Sequence, residues 1–179
     1  DILKIYNVGE NMYKTEVTSP LGTLTLTSDG KYLTGLFIEN QKYFLYKFPK
    51  NLKEEDNLPL FKETKLWLND YFNGKNPSTN NLKLNPQGTR FRKIVWQELL
   101  KIPYGKTITY KELGKKVARK LDKNSMASQA IGGAVGHNPI SIIIPCHRVI
   151  GTNGTLTGYA GGIEKKAYLL ELEKNSKLN

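Results

Sequence analysis

One cysteine, Cys146, is the residue of this chain best placed for chemistry. It stands in the string IIIPCHRVI at residues 142–150, between an apolar run and a basic pair. A thiol reacts as the thiolate, which nearby cations or a general base favour, and His147 and Arg148 could act in this way. Because the chain has no second cysteine, an internal disulfide and a four-cysteine zinc site are excluded. The alternative is a small buried apolar residue, the commoner role of a lone cysteine.

Positive charge is concentrated in the C-terminal half of the chain. Residues 1–86 carry 11 Lys and Arg against 10 Asp and Glu, whereas residues 87–179 carry 16 against 6. Eleven of those basic residues lie between Arg90 and Lys123. This asymmetry favours a polyanionic partner such as nucleic acid, and a solvated lysine-rich surface is the alternative.

The composition is that of an ordinary globular protein of 179 residues. No stretch approaches the roughly 18 consecutive apolar residues of a membrane helix, and no secretory signal is visible at the N-terminus. We therefore expect a cytoplasmic protein, associated with the nucleoid if the source is a prokaryote, with no membrane partner. A reducing compartment suits a free thiol.

The N-terminal half reads as a small sheet followed by one helix. Alternating apolar and polar residues predict strands at Met12–Thr18, Thr23–Ser28 and Tyr32–Glu39. Turn residues between them favour an antiparallel meander. Pro59 opens a helix with Phe61, Leu66, Leu68, Tyr71 and Phe72 on its apolar face, and Asn73-Gly74 ends it. Residues 74–87 have no periodicity and are predicted to be a linker.

The C-terminal half reads as mostly helical. Helices are predicted at Arg90–Lys101, Tyr110–Arg119, Ser125–Val135 and Ile163–Lys174, with Thr89 and Thr109 as N-caps of the first two. The second and third are short and lie near a basic segment, as in a helix-turn-helix, although many such pairs bind nothing. The third is rich in small residues, which permit close approach to another surface, and tight packing on another helix is the alternative. Ile140–Pro145 is predicted to be extended.

Several motifs in the C-terminal half occur together. Pro-Cys-His-Arg-Val at residues 145–149 follows Asn138-Pro139 and precedes Gly-Tyr-Ala-Gly-Gly at 158–162 and Lys166. With Ile-Pro-Tyr-Gly at 102–105 and the helix start at Thr109, they resemble the O6-alkylguanine-DNA alkyltransferases, the methylguanine repair proteins. The likeness covers residues 86–179 closely and the N-terminal strands more loosely.

The resemblance implies single-turnover repair. Cys146 would take the alkyl group from O6 of guanine, and also from O4-alkylthymine, in duplex DNA, with no cofactor and no metal. His147 would take the thiol proton through a water, and Glu173 would orient the imidazole. Asn138 would fix the water or the backbone near the thiol, or else is only a turn residue. Arg148 would tie the thiol segment to the helix behind it.

The resemblance also implies a base pocket. Tyr110 would donate to guanine N3, or else is an ordinary tyrosine at a helix start. Lys166 would support the O6 side, or else is a surface lysine. The pocket that receives the flipped base would be formed by Pro145, Tyr159, Ala160 and Gly161.

For DNA binding, the resemblance places the third helix in the minor groove. Ala127, Ser128, Ala130 and Gly132 would allow close approach there. Arg90 and Arg92 would hold phosphates. Gln129 stands where family members commonly place an arginine that fills the space of the flipped base, so this position brings no charge. The segment Arg119–Met126 is longer than usual.

We therefore predict an α/β (α+β) protein with two domains. Residues 1–85 would form a small N-terminal antiparallel sheet with a helix, which looks structural. Residues 86–179 would form a mostly helical domain with the helix-turn-helix and the active-site cysteine. The expected partner is double-stranded DNA containing O6-alkylguanine, bound by a monomer. The alternatives are a thiol hydrolase or transferase that acts on small molecules and a non-enzymatic DNA-binding module, and Cys146 argues against the latter.

Overall fold

A three-stranded antiparallel meander forms the centre of the N-terminal half in the computed structural model, which describes residues 11–176. The strands are β1 (Tyr13–Ser19), β2 (Gly22–Ser28) and β3 (Leu33–Ile38). β2 pairs with β1 on one side and with β3 on the other, both antiparallel. Each predicted strand is confirmed to within one residue at its ends.

The sheet is mixed, so the prediction of a wholly antiparallel sheet is wrong at one edge. A fourth strand, β4 (Lys53–Glu54), pairs parallel to β1 and gives the strand order β3-β2-β1-β4. Both residues of β4 are exposed and therefore lack the alternation that marks a strand in a sequence. The pairing joins residues about forty positions apart, which no local pattern indicates.

The helix α1 (Pro59–Phe72) begins and ends where the sequence predicts. Proline occupies its first turn, and Asn73 is its C-cap. The face toward the core contains Leu60, Phe61, Thr64, Trp67, Leu68 and Tyr71. Leu66 was predicted on this face but is 68% exposed, because at 3.6 residues per turn it lies on the side of the helix opposite Thr64 and Tyr71.

The outer edge of β3 joins the two halves of the chain. Leu33 donates its N–H to the Lys83 carbonyl at 2.7 Å, so residues 74–87 are attached to the sheet and are not a free linker. Further along, Leu36 donates to the Pro139 carbonyl at 2.8 Å and accepts from the Ser141 N–H at 3.0 Å. One continuous core contains buried residues of both halves. The domain boundary stays a prediction, and residues 1–10 and 177–179 lie outside the described residues.

From residue 87 to residue 176 the structure contains four α-helices and a short parallel strand pair. They are α2 (Arg90–Leu99), β5 (Ile108–Thr109), α3 (Tyr110–Lys120), α4 (Ser128–Gly136), β6 (Val149–Ile150) and α5 (Ile163–Ser176). No helix within residues 11–176 has the length and apolar content needed to cross a bilayer. This combination of a small sheet with separate helices is an α+β fold.

Two predicted segments of this half differ in the structure. The helix predicted from Ser125 begins three residues later, at Ser128. Its N-cap is Ala127, whose side chain makes no capping bond. Residues 140–145 form tight turns after one bridge to β3, so they are not an extended strand. α3 and α4 pack against each other, and their description as a helix-turn-helix stays a prediction.

Threonine caps fix the starts of α2 and α3, as the sequence predicts. Thr89 Oγ1 accepts the Arg92 N–H at 3.2 Å. Thr109 forms a capping box, in which its Oγ1 accepts the Glu112 N–H at 3.1 Å and its own N–H donates to the Glu112 carboxylate at 2.7 Å. Trp96 Nε1 donates to the Ala134 carbonyl at 2.9 Å and ties α2 to α4.

Replacing Thr109 by alanine should lower the free energy of unfolding by about 1 kcal/mol, because the first turn of α3 loses its side-chain acceptor. Urea unfolding followed by circular dichroism measures the change. Thr109→Ser retains the hydroxyl and should stay within about 0.5 kcal/mol of the unmodified protein. Equal stability of the alanine and serine variants would contradict the role of the cap.

Candidate active site

The cysteine lies at the end of two tight backbone turns. Ile143 donates its N–H to the Ser141 carbonyl at 2.8 Å, which places Ile142 between them at a φ of 72°. Cys146 in turn donates to the Ile144 carbonyl at 2.8 Å across Pro145. A β-branched residue at positive φ is strained by roughly 1–3 kcal/mol and persists only where its surroundings hold it.

Asn138 holds both this backbone and the thiol. Its Nδ2 donates to the Ile144 carbonyl at 2.8 Å, to the Ile140 carbonyl at 3.3 Å and to Sγ of Cys146 at 3.2 Å. Its Oδ1 accepts the Ile140 N–H at 3.0 Å. The side chain is 3% exposed. Asn138 therefore does more than end a turn, since it fixes the position of the sulfur atom.

The thiol is protonated at rest. Cys146 begins a single 3-10 turn, Cys146–Arg148, and is 4% exposed. Burial raises the pKa of Cys146, and the opposing effects of the Asn138 hydrogen bond and the Lys166 charge do not overcome it. The side chains of His147 and Arg148 both bond to Glu173, and their role in activating the thiol stays a prediction.

His147 is a neutral base at rest. Its ring is fully buried, and burial lowers its pKa although Glu173 acts in the opposite direction. Nε2 lies 2.8 Å from Oε1 of Glu173, which assigns the ring proton to Nε2 because the carboxylate only accepts. Nδ1 is buried and has no hydrogen-bond partner among residues 11–176. The residue that follows Cys146 in the sequence therefore carries a buried ring nitrogen that can accept a proton.

Glu173 on α5 is a buried carboxylate surrounded by donors. Oε1 accepts from Tyr71 Oη, His147 Nε2 and Arg148 Nη2, each at 2.8 Å. Oε2 accepts from Arg148 Nε at 3.0 Å and from the Gly105 N–H at 3.1 Å. Burial raises the pKa of Glu173, but the bonds from His147 and Arg148 outweigh burial and bring it to about 2. The group is therefore ionised at neutral pH.

Arg148 links the thiol turn to the surrounding elements, as predicted. Besides Glu173, it donates from Nη1 to the Ile102 carbonyl at 2.7 Å. Its guanidinium carbon lies 5.7 Å from the ring centroid of Tyr104. Tyr71 and Gly105 also contact Glu173, and neither was predicted as a site residue. The one signal for Tyr71 was a hydroxyl on an otherwise apolar helix face, since a buried tyrosine usually finds a partner.

Lys166 is buried, so its description as a surface lysine is wrong. Its Nζ donates to the Val149 carbonyl at 2.5 Å and to the Thr157 carbonyl at 2.9 Å. Burial lowers the pKa of Lys166, and Cys146 opposes this effect. The ammonium lies 5.8 Å from the centroid of the Tyr110 ring, which brings two predicted site residues together.

Tyr110 opens α3 beside the glycine-containing loop. Its hydroxyl donates to the Thr157 carbonyl at 3.2 Å. Burial, and to a smaller degree Cys146, raises the pKa of Tyr110 to about 12. Gly158 has a φ of 70°, and a Cβ there would lie 3.1 Å from the Tyr110 hydroxyl. Glycine at this position therefore allows the loop to pass close to the tyrosine.

The other predicted pocket residues lie on or beside the same loop. Tyr159 is 7% exposed, and its hydroxyl has no partner within the part of the chain that the structure describes. A Cβ on Gly161 would lie 3.0 Å from the Tyr159 ring, so this glycine leaves room for the tyrosine. The Ala160 carbonyl accepts the Lys42 N–H at 2.9 Å, and Pro145 is buried directly before the thiol.

The residues at the start of α4 that were predicted to approach DNA face solvent wholly or in part. Ala127, Ser128 and Gln129 are exposed, and Ala130 and Gly132 are half-buried. A Cβ on Gly132 would meet no atom within 4 Å, so tight packing on another helix is not the reason for glycine there. The helix packs instead through Ile131, Ala134 and Val135. At the start of α2, Arg90 is exposed and Arg92 is half-buried.

No group of three or more His, Cys, Asp or Glu side chains suited to a metal ion occurs between residues 11 and 176.

Sequence comparison assigns both halves of the chain to one family. Residues 12–86 match the ribonuclease-like domain of 6-O-methylguanine DNA methyltransferase, and residues 90–175 match its DNA binding domain. The chain belongs to the 6-O-methylguanine DNA methyltransferase family. The family resemblance that the cysteine motif and its neighbours suggest is thereby confirmed.

Relatives of this family match nearly the whole chain. A methylated-DNA–protein-cysteine methyltransferase of Haemophilus influenzae is 45% identical over 163 residues, which cover 91% of this chain and 87% of the relative. Its namesake in Methanosarcina mazei is 43% identical and covers 92% of this chain and 99% of the relative. The crystal structure of Mycobacterium tuberculosis OGT in complex with DNA matches with a TM-score of 0.80 and 40% identity, over 92% of this chain and 94% of that one.

Replacing Glu173 by glutamine should destabilise the protein at pH 7 by roughly 3 kcal/mol, because Arg148 loses its buried counter-charge. The pKa of Glu173 is lowered from its usual 4.5 to about 2, so the ionised group stabilises the fold above pH 4.5. The difference in the free energy of unfolding between the unmodified protein and Glu173→Gln should therefore narrow as the pH falls from about 4.5 toward 2.

Urea unfolding at a series of pH values measures this difference. Glu171→Gln, which removes an exposed carboxylate from the same helix, is the matched control and should change stability by less than about 0.5 kcal/mol. A Glu173→Gln effect that is absent at pH 7, or equally large at low pH, would be inconsistent with the ionised carboxylate.

Proposed function

We propose that this protein repairs DNA by transferring an alkyl group from O6 of guanine to Sγ of Cys146. The observation that carries the proposal is a protonated, buried thiol next to a neutral imidazole whose Nδ1 has no partner among the described residues. The names of the relatives, methylated-DNA–protein-cysteine methyltransferases, supply the substrate class. O4-alkylthymine as a second substrate and a monomer as the acting unit are part of the proposal.

The transfer is a direct displacement at the alkyl carbon. The thiol proton moves to Nδ1 of His147, through a water, and the sulfur attacks the carbon as the carbon–O6 bond breaks. The electron pair of that bond stays on the purine, which takes up a proton and leaves as guanine. Because a thioether is not hydrolysed, each protein molecule reacts once.

Glu173 and Asn138 prepare the reacting pair. Glu173 is already ionised, so it stabilises the imidazolium as it forms, and its bond to Nε2 leaves Nδ1 as the nitrogen that accepts the proton. Asn138 stabilises the developing thiolate through its bond to Sγ. The thiolate therefore forms only when His147 can accept the proton and an alkyl carbon is in place for the sulfur to attack.

The base would enter between the loop at residues 158–162 and the start of α3. The Tyr110 hydroxyl would leave the Thr157 carbonyl and donate to N3 of guanine, which needs a proton as the alkyl group departs. Lys166 would stabilise the O6 side and Tyr159 would wall the pocket, with Pro145, Ala160 and Gly161 around it. Extrusion of the nucleotide costs a few kcal/mol, on the order of base unstacking.

The DNA would bind along the exposed face of α4. Small side chains there allow the helix into the minor groove, and α3 with α4 would act as the helix-turn-helix. Gln129 would fill the gap left by the flipped base and bond the orphaned cytosine. The binding energy would come from phosphate contacts by basic residues such as Arg90 and Arg92, without dependence on sequence.

Incubation with a duplex that contains one O6-methylguanine should raise the mass of the protein by about 14 Da, one methylene, because the methyl group replaces the thiol proton. Intact-mass spectrometry measures the gain. Cys146→Ser should bind the duplex without gaining mass. Multiple turnover would indicate the alternative thiol hydrolase or transferase, and active protein without a mass change would reject alkyl transfer.

Arg90→Ala and Arg92→Ala should each weaken binding to any duplex by a similar factor and reduce the slope of log affinity against log salt by about 1. Fluorescence anisotropy at several salt concentrations measures both quantities. Lys62→Ala on α1 removes an exposed cation from the other half of the chain and is the control. A loss that depends on base sequence, or an unchanged slope, would show that these arginines do not contact phosphates.

A further inference from the structure

We propose that Tyr71 of α1 is a positioning residue for alkyl transfer, which sets the basicity of His147 by sharing Oε1 of Glu173 with it. The inference rests on the proposed function and adds to it a contribution from the N-terminal half. Every other side-chain or backbone donor to this carboxylate that the structure describes comes from the C-terminal half: Gly105, His147 and Arg148.

The contact between Tyr71 and Glu173 is direct and rigid. The phenol oxygen lies 2.8 Å from Oε1, and the tyrosine is 1% exposed. Its ring is stacked on Trp67 with centroids 5.4 Å apart and planes 8° apart, and Phe72 and Tyr104 meet it edge to face. The hydroxyl therefore has one position available. Burial and the neighbouring carboxylate raise the pKa of Tyr71, so this group acts as a donor throughout the working range of pH.

Sharing one carboxylate oxygen among donors from three residues has a consequence for the base. Each donor to Oε1 takes part of the negative charge that would otherwise stabilise a proton on the imidazole of His147. Without the phenol, more of that charge acts on His147, and the pKa of the imidazole rises. The base is then already protonated at pH values where the unmodified protein still has a free Nδ1.

The test compares Tyr71→Phe with Tyr104→Phe. Both variants remove one buried hydroxyl from the same aromatic cluster, but the Tyr104 hydroxyl has no hydrogen-bond partner within residues 11–176. The rate of methyl transfer from O6-methylguanine duplex is measured by intact mass in single-turnover reactions at a series of pH values. The midpoint of the acid side of the profile should rise by about 0.5 to 1 pH unit in Tyr71→Phe and stay in place in Tyr104→Phe.

An independent measurement does not need the reaction. In the Cys146→Ser protein, NMR titration of the ring protons reports the pKa of His147, and assignment is simple because the chain has two histidines. Tyr71→Phe should raise that pKa by the same amount as the midpoint. In a Glu173→Gln background, Tyr71→Phe should change it by less than about 0.2 unit, because the shared oxygen has lost its charge.

The outcomes separate this inference from the proposed function. If wild type gains the methyl group but Tyr71→Phe and Tyr104→Phe have the same profile and the same His147 pKa, Tyr71 has only a packing role and the inference is overturned. An equal shift in the Glu173→Gln background would also overturn it, since the effect would not act through the carboxylate. If wild-type protein gains no mass, the proposed function itself fails.

Discussion

A fully buried carboxylate, that of Glu173, is the group on which the construction of this site depends. An ionised carboxyl group in the interior costs several kcal/mol unless donors surround it. Those donors arrive from α1, from the loop after α2 and from the 3-10 turn that carries the thiol. The need to satisfy one carboxylate therefore fixes three separate elements relative to α5, and it aligns His147 as part of the same arrangement.

The same burial determines how the thiol is stored. Burial disfavours both the thiolate and the imidazolium, so Cys146 keeps its proton and His147 stays neutral. Transfer of the thiol proton to His147 becomes favourable only when the sulfur can attack a substrate. Glu173 and Asn138 are already positioned to stabilise the imidazolium and the developing thiolate. For a protein that reacts once, a thiol that is inert at rest avoids loss to other electrophiles.

Local chemistry predicted local structure well and distant contacts poorly. The caps at Thr89 and Thr109 and the proline start of α1 were predictable because each depends on residues within one turn of helix. β4 and the bond from Tyr71 to Glu173 were not, because their partners lie about forty and 102 positions away. Sequence motifs identified Cys146 and His147 as a pair, but the protonation of the thiol depends on burial, which neighbouring residues in sequence do not reveal.

The edge of β3 explains how the strained turn before the cysteine is held. The backbone of Leu36 bonds to Pro139 and to Ser141, on either side of Ile140. The Asn138 side chain bonds to the backbone of Ile140 and of Ile144, the two ends of the segment that contains the turn. With its flanks held in this way, Ile142 has no room to relax from its positive φ, and the sulfur is held at one position beside the amide. The N-terminal sheet thus contributes to the site through a backbone edge, a role that its own sequence, without any chemical motif, does not indicate.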